Sequence, residues 1–395
     1  MTKRIKRALA VGAAGAALGA VAVAQHGLPG STPTATYPTR PATVPFELFR
    51  GSRIFIPGSV NGTKTDIMFD SGAAVTVVDS ALADKVGLKG GIATSVRGTG
   101  GNMPSRIISG VTLDLGSLRL TGLTVFVMDM SPVARAIGHD VPVVLGRDAL
   151  KAGVITFDFP HRTIRFAESK GYRPPAGAVR LPVADDGHQF WTPVSVAGLP
   201  PVDAQIDLGN GGTLALAKDY WSTQPTIAGL RYAHSQTGGV GGMKAARRVM
   251  LSDVSFGGVR FTKVPATLNE DSATLPTRGG NIGIELLKPF VVTFDLAGNA
   301  VYLEGTGSVP ALTRERVGVR TEFAADRLNV AFVSPEGPGA AAGLKAGDQI
   351  VAVDGVKVDA GYFDRPDWTR GPIGETVTLS LADGREAKVT LADYF

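Results

Sequence analysis

The feature that most constrains the fold of this chain is a pattern that occurs twice, 137 residues apart. The segment DSGAAVTVVD from Asp70 aligns with DLGNGGTLAL from Asp207, so that an aspartate, a glycine and a threonine coincide. Further on, VLGRDALKAGVITFD from Val144 aligns with NIGIELLKPFVVTFD from Asn281 at the same offset. Matches in the same order at constant spacing predict an internal duplication, with two copies of one lobe in the chain.

Each of the two aspartates follows an apolar run, and burying a carboxylate costs free energy unless it is hydrogen-bonded or has a task. If two lobes pack about a pseudo-twofold axis, Asp70 and Asp207 face each other across it. Two such carboxylates cannot both ionise comfortably, so they share a proton. The ionised member can take a proton from water and the neutral member can donate one to a carbonyl oxygen, which is the chemistry that hydrolyses a peptide bond.

The segment FDSGAAVTVVD, followed by VVLGRDAL, resembles the retropepsin-like aspartic proteases, in their bacterial form with two lobes in one chain. The resemblance covers about residues 44–305. It implies that Asp70 and Asp207 are catalytic. It also implies active-site support from Ser71, Gly72, Leu208 and Gly209, and two mobile flaps whose tips contain Gly98, Thr99, Gly100, Gly101, Gly239, Val240, Gly241 and Gly242.

One position departs from that family pattern. The family usually has serine or threonine after the aspartate, and its hydroxyl braces the two active-site loops against each other. Ser71 fits this pattern, but the second copy has Leu208, so half of the brace is missing and activity is left open. The glycine-rich stretches at 97–103 and 238–244 have a simpler alternative as plain hairpin tips.

The segment SPEGPGAAAGLKAGDQIVAVDG at 334–355 resembles a PDZ domain. Such domains bind a protein C-terminus or an extended peptide as an additional strand at a sheet edge. The resemblance implies a groove formed by Arg327, Leu328, Asn329, Val330 and Ala331. The alternative is a docked structural module without a ligand.

The N-terminus is basic and is followed by an Ala/Gly/Val-rich run that ends in Ala22-Val23-Ala24, which predicts a secretory signal cleaved after Ala24. The alternative is a retained membrane anchor. Four of the five net positive charges lie in this segment, so the high isoelectric point does not indicate nucleic-acid binding. The chain has no cysteine, which suits an exported protein without disulfides, in a bacterial periplasm or outside the cell.

Together these observations predict a mainly β protein with turns such as Asn61-Gly62 and few helices, near residues 80–86, 147–152 and 340–346. The predicted units are a signal at 1–24, a Pro/Thr-rich linker at 25–44, lobes of the closed-barrel type at 45–172 and 173–308, and a PDZ domain at 314–395. The predicted function is an exported aspartic endopeptidase that acts on peptides or proteins and needs no cofactor and no metal, since the histidines show no ligand spacing. The alternative is a non-catalytic peptide-binding scaffold of the envelope on the same fold.

Overall fold

The computed structural model describes residues 33–37, 42–186, 189–272, 278–305, 309 and 311–395. The predicted signal and most of the predicted linker lie outside these residues. Strands make up 48% of the structure and helices 11%, so the prediction of a mainly β fold is confirmed. Within the described ranges, no helix is long and apolar enough to cross a membrane.

The first half of the described chain forms short strands and three short helices. In chain order the strands are β1 (Thr34–Thr36), β2 (Thr43–Pro45), β3 (Glu47–Phe49), β4 (Arg53–Val60), β5 (Thr63–Phe69), β6 (Val77–Asp79), β7 (Ile92–Arg97), β8 (Asn102–Asp114), β9 (Arg119–Met128), β10 (Val143–Leu145), β11 (Val154–Asp158) and β12 (Thr163–Ala167). The helices are α1 (Ser80–Lys85), α2 (Ser131–Ile137) and α3 (Arg147–Leu150).

Nine of these strands form one sheet, and we call the unit built on it the first lobe. The path is β1-β9-β6-β10-β5-β4-β8-β7, with β3 beside β4. The short strand β10 lies between β5 and β6, parallel to the first and antiparallel to the second. The β4–β5 hairpin turns at Asn61-Gly62 as predicted, because both residues take the positive φ that a two-residue turn of this kind requires.

The second half repeats this arrangement, and we call the corresponding unit the second lobe. Its strands are β13 (Val179–Pro182), β14 (Ala184–Asp185), β15 (Phe190–Val196), β16 (Val202–Ile206), β17 (Leu214–Leu216), β18 (Tyr232–Gly239), β19 (Gly242–Phe256), β20 (Val259–Asn269), β21 (Gly280–Ile282), β22 (Phe290–Asp295) and β23 (Ala300–Gly305), with helices α4 (Lys218–Trp221), α5 (Pro225–Ala228) and α6 (Ile284–Leu287). Its sheet has the order β14-β15-β16-β21-β17-β20-β19-β18. Here β21 lies between β16 and β17, parallel to the first and antiparallel to the second.

A third sheet joins the lobes. Its order is β13-β23-β22-β11-β12-β2, so each half of the chain contributes three strands. At its centre β11 pairs with β22, and the hydroxyl oxygens of Thr156 and Thr293 are 2.9 Å apart. The rings of Phe69, Phe157 and Phe294 continue this contact towards the end of β5, with centroids 5.2 and 5.7 Å apart.

The described part of the predicted linker is not a free tether. Residues 34–36 form β1, which pairs with β9, and residues 43–45 form β2, which pairs with β12 at the edge of the central sheet. Val44 is buried in this position. The threonine-rich composition that indicated a linker is equally compatible with short edge strands, because β-branched residues favour extended backbone.

The C-terminal domain has its own sheet and core. Its elements are β24 (Val319–Phe323), β25 (Leu328–Val333), α7 (Pro338–Ala341), β26 (Gln349–Val353), β27 (Val356–Lys357), two 3-10 turns (Tyr362–Asp364 and Trp368–Arg370), β28 (Thr376–Leu381) and β29 (Glu386–Thr390). The sheet order is β24-β25-β26-β28-β29, with β27 beside β26. The helix predicted at 340–346 instead ends at Ala341, because Gly343 takes a left-handed conformation soon after it. The helices predicted near 80–86 and 147–152 correspond to α1 and α3, each ending one or two residues earlier.

Candidate active site

The two repeated aspartates meet between the lobes. Asp70 directly follows β5, and its backbone N–H donates to Leu145 O of the neighbouring short strand at 3.1 Å. Asp207 follows β16, and its N–H donates to Ile282 O at 2.9 Å. Both side chains are buried. The sheet order that places β10 and β21 between their neighbours therefore fixes the backbone of both aspartates.

Each aspartate lies against the glycine that follows the other. A Cβ placed on Gly72 would come within 2.6 Å of the carboxyl carbon of Asp207. A Cβ placed on Gly209 would come within 2.3 Å of the carboxyl carbon of Asp70. Any side chain at either glycine would collide with the opposite carboxyl group, so the two glycines are what allows the carboxyl groups to approach.

The hydrogen bonds of the two carboxyl groups differ. Asp70 Oδ1 accepts from Gly72 N at 2.8 Å and Ala73 N at 3.0 Å, whereas its buried Oδ2 accepts no hydrogen bond from the described residues. Asp207 Oδ1 accepts from Gly209 N at 2.7 Å, and its Oδ2 accepts from Asn281 Nδ2 at 2.5 Å. Both oxygens of Asp207 are therefore supplied with N–H donors, and only one oxygen of Asp70 is.

This asymmetry is accompanied by a shifted pKa at Asp70. Burial, and then the neighbouring charge of Asp207, raise the pKa of Asp70 well above its usual range. An amide donor such as Asn281 favours the charged form of a carboxyl group. Burial and the unequal hydrogen bonding thus both favour the protonated form of Asp70.

Asn281 is a site residue that the sequence analysis did not assign. It is buried and accepts a hydrogen bond from Asn210 Nδ2 at 2.8 Å, which orients its amide towards Asp207. The corresponding residue of the first copy is the apolar Val144. A polar residue at one copy of a buried strand position was the signal that could have identified it.

The support residues lie where the lobes touch. Ser71 Oγ donates to Ile206 O at 2.9 Å and accepts from Leu208 N at 2.9 Å, so one hydroxyl makes both bonds across the interface. The side chain of Leu208 is fully buried in the apolar core. At the position equivalent to Ser71, the second lobe therefore has no hydroxyl that could form the corresponding hydrogen bond to the first lobe.

The two glycine-rich stretches are hairpin tips that touch each other. One joins β7 to β8 and the other joins β18 to β19. Gly100 N donates to Val240 O at 2.9 Å across the contact. The side chain of Val240 is 2% exposed because it enters an apolar cluster of the first lobe that includes Phe55 and Met103. The tips are in contact with each other, and Thr99 lines the cleft that contains both aspartates.

The cleft that contains both aspartates is lined by both lobes and by Thr313, Arg314, Glu315, Arg370 and Phe395 from the C-terminal part of the chain. Its volume is about 320 Å³, at the lower end of the range for ligand pockets. Besides the aspartates, its charged and amide-bearing lining residues are Arg53, Asn210, Gln236, Arg248, Asn269, Asn281, Glu285, Arg314, Glu315 and Arg370. Apart from glycines, the apolar residues that the described part of the chain contributes to this lining are Leu214, Ala215, Pro265 and Phe395. No group of three or more potential metal ligands occurs among the residues that the structure describes.

The strand predicted to form the peptide groove of the C-terminal domain is not an edge strand of its sheet. Arg327 lies in the turn that joins β24 to β25, and Leu328, Asn329, Val330 and Ala331 lie in β25. This strand lies between β24 and β26, and Leu328 and Val330 are buried. A strand that is paired on both sides cannot accept a further peptide strand, so the edge strand on this side of the sheet is β24. The segment before β25 is therefore a hairpin turn, closed by hydrogen bonds between Ala324 and Arg327, and not a loop that leads into an edge strand.

The edge strand β24 faces the first lobe. It lies beside α2, and the ring of Phe323 contacts that of Phe363 at 4.9 Å. Phe363 in turn contacts Phe49 of the first lobe at 5.4 Å and lies against Gly138. A second contact joins Glu336 to His234 of the second lobe at 2.7 Å. The C-terminal domain is therefore docked on both lobes.

Comparison with known families finds two matches. An aspartyl protease family model matches residues 56–149, and a PDZ domain model matches residues 330–382. The first match contains Asp70, Ser71 and the first hairpin tip. A comparison with curated proteins finds no match.

Proposed function

We propose that this chain, a retropepsin-like aspartic protease with a C-terminal PDZ domain, is an exported endopeptidase that cleaves peptide or protein substrates with water. The observation that carries the proposal is the close approach of Asp70 and Asp207, each carboxyl group lying over the other's glycine. The duplicated sequence pattern and the matching strand order of the two lobes further support an origin by internal duplication.

The hydrogen bonds of the two carboxyl groups indicate which aspartate acts as the base and which as the acid. Asp207, whose two oxygens receive N–H donors, acts as the base and takes a proton from the attacking water. Asp70 gives its proton to the carbonyl oxygen of the scissile bond, and a tetrahedral diol forms. The carbon–nitrogen bond then breaks as the leaving nitrogen takes the proton from Asp207, while a diol hydroxyl returns a proton to Asp70. The pair ends with one proton, as it began.

Export and recognition are the less direct parts of the proposal. Export rests on the basic, Ala-rich N-terminus and its small-residue cleavage pattern, and it places the enzyme in the periplasm or outside the cell. The PDZ domain is assigned to recognition of a peptide or protein, with β24 as the strand that binds it. Because β24 lies against α2, such binding requires the domain to move from the first lobe.

The test is cleavage of a mixed peptide library from acid to neutral pH, read by mass spectrometry. Wild type, Asp70→Asn and Asp207→Asn are compared, with Asp66→Asn as the control because Asp66 is an exposed residue of the same strand β5. We expect wild type and the control to cut and both dyad variants to fail. A folded wild-type protein that cuts nothing at any pH would show the proposal to be wrong.

If only Asp70→Asn lost activity, the mechanism would need another base in place of Asp207. That result would contradict the assignment of Asp207, the hydrogen-bond partner of Asn281, as the base. The chain would still be a peptidase. Circular dichroism of every variant establishes that a loss of activity is not a loss of fold.

A further inference from the structure

The charged residues of the cleft are not equally neutralised. Glu285 is paired with Lys288 at 2.9 Å. Glu315 accepts hydrogen bonds from the hydroxyl of Tyr394 and from the backbone amides of Val317 and Gly318. Both carboxylates that line the cleft outside the dyad are therefore already satisfied by their own neighbours.

The four arginines of the cleft fall into two pairs. Arg314 forms an ion pair with Asp393, and Arg370 forms one with Asp367 at 3.3 Å. Arg53 and Arg248 form no ion pair within 4 Å in the part of the chain that the structure describes. These two guanidinium groups are the cations that the cleft offers to a substrate.

Arg53 lies beside the dyad, at the start of β4. Its Nη1 donates to Ser52 O at 2.7 Å and lies directly over Gly211, where a Cβ would collide with it. Burial lowers the pKa of Arg53, and the opposite charges of Asp207 and Asp70 raise it to a smaller extent. A dyad that holds one proton carries a single negative charge, and this charge offsets Arg53.

Arg248 then remains as the arginine of the cleft that has neither an ion pair within 4 Å among the described residues nor a place beside the dyad. It lies on β19, and its Nη1 donates to Thr267 Oγ1 at 3.2 Å, which is also in the cleft lining. The next residue back along the strand, Arg247, faces the other side of the sheet. There it pairs with Glu270 at 2.7 Å and lies over the ring of Tyr232. Two adjacent arginines thus differ in that one is neutralised and the other points into the cleft.

We propose that this cleft selects peptides with an aspartate or glutamate side chain near the scissile bond, and that Arg248 binds this carboxylate. A guanidinium can hold a carboxylate through two parallel hydrogen bonds, which a neutral amide cannot reproduce with the same strength. The amide and hydroxyl groups that line the same cleft, among them Asn269 and Thr267, also suit a polar side chain better than a large aliphatic one. The proposal rests on the peptidase function proposed above.

The test uses peptide pairs that differ only in glutamate or glutamine at each position flanking the cut, at about pH 6, where glutamate is ionised. For wild type we expect kcat/KM to favour the glutamate peptide by roughly tenfold or more at one position, as a charge-assisted hydrogen bond implies. Arg248→Gln should reduce this ratio to about one. Arg247→Gln, the matched control on the same strand, should retain it.

A second measurement separates this inference from the peptidase function. Equilibrium binding of the same peptides to Asp70→Asn is followed by fluorescence anisotropy, because an amide at this position resembles the protonated carboxyl group. Tighter binding of the glutamate peptide that depends on Arg248 supports the inference even if wild type cuts nothing. Equal binding or equal cleavage of the two peptides at every position would overturn it.

Discussion

Ser71 makes a hydroxyl contact that joins the two active-site loops, so its removal tests how the lobes are held together. In Ser71→Ala, Ile206 O loses a donor and the buried Leu208 N–H loses its acceptor. A lost hydrogen bond costs about 0.5–1.5 kcal/mol, and a buried donor left without a partner costs about 1–3 kcal/mol. We therefore expect the free energy of unfolding to fall by about 1.5–4.5 kcal/mol, the sum of the two costs.

The assay is urea denaturation followed by tryptophan fluorescence and by circular dichroism. Ser109→Ala is the control, because Ser109 is an exposed hydroxyl of the same lobe that contacts Thr124 at 2.8 Å. It should change stability by less than about 0.5 kcal/mol. If Ser71→Ala behaved like this control, the contact across the lobes would contribute nothing and the reasoning about a single remaining brace would fail.

Two further predictions concern a buried carboxyl group and the domain contact. Burial raises the pKa of Asp148 to about 6, so its contribution to stability is present below about pH 4 and is lost as pH rises to about 6. In Asp148→Asn, the free energy of unfolding from urea denaturation should lack this fall between about pH 4 and about pH 6. If the free energy of unfolding fell with pH as steeply as in wild type, the prediction would be wrong. Phe363→Ala removes the ring between β24 and the first lobe. It should increase the radius of gyration in small-angle scattering, whereas the control Tyr362→Phe should not. An equal radius of gyration in the two variants would show that Phe363 does not hold the C-terminal domain against the first lobe.

The elements that could be predicted from sequence are those that depend on local pattern. The Asn61-Gly62 turn, the strands on either side of it and the helix after Asp79 follow from residue types within a few positions of one another. The missing second hydroxyl could also be predicted, because Leu208 has no donor or acceptor in its side chain. In these cases the chemistry of the residue and of its near neighbours in sequence determines the local structure or the hydrogen bonds that can form.

The elements that were missed depend on contacts between distant parts of the chain. Arg53, Arg248 and Asn281 meet in one cleft although 228 residues separate the first from the last. The edge strand of the C-terminal domain was misidentified because strand order depends on pairing partners, which a local pattern does not contain. The pairing of β1 likewise depends on residues 83–87 positions later in the chain, and that of β2 on residues 118–122 positions later.

The central sheet has a consequence for how the chain reaches its folded state. Thr156 of β11 has its partner Thr293 in β22, 137 residues later. During synthesis β11 therefore has an open edge, and an unpaired edge is a site for association with other chains. At about 5–20 residues per second, the missing partner follows after roughly 7–27 s. Closure between such distant segments is also slow, so the first half of this molecule must remain soluble while incompletely folded until the second half arrives.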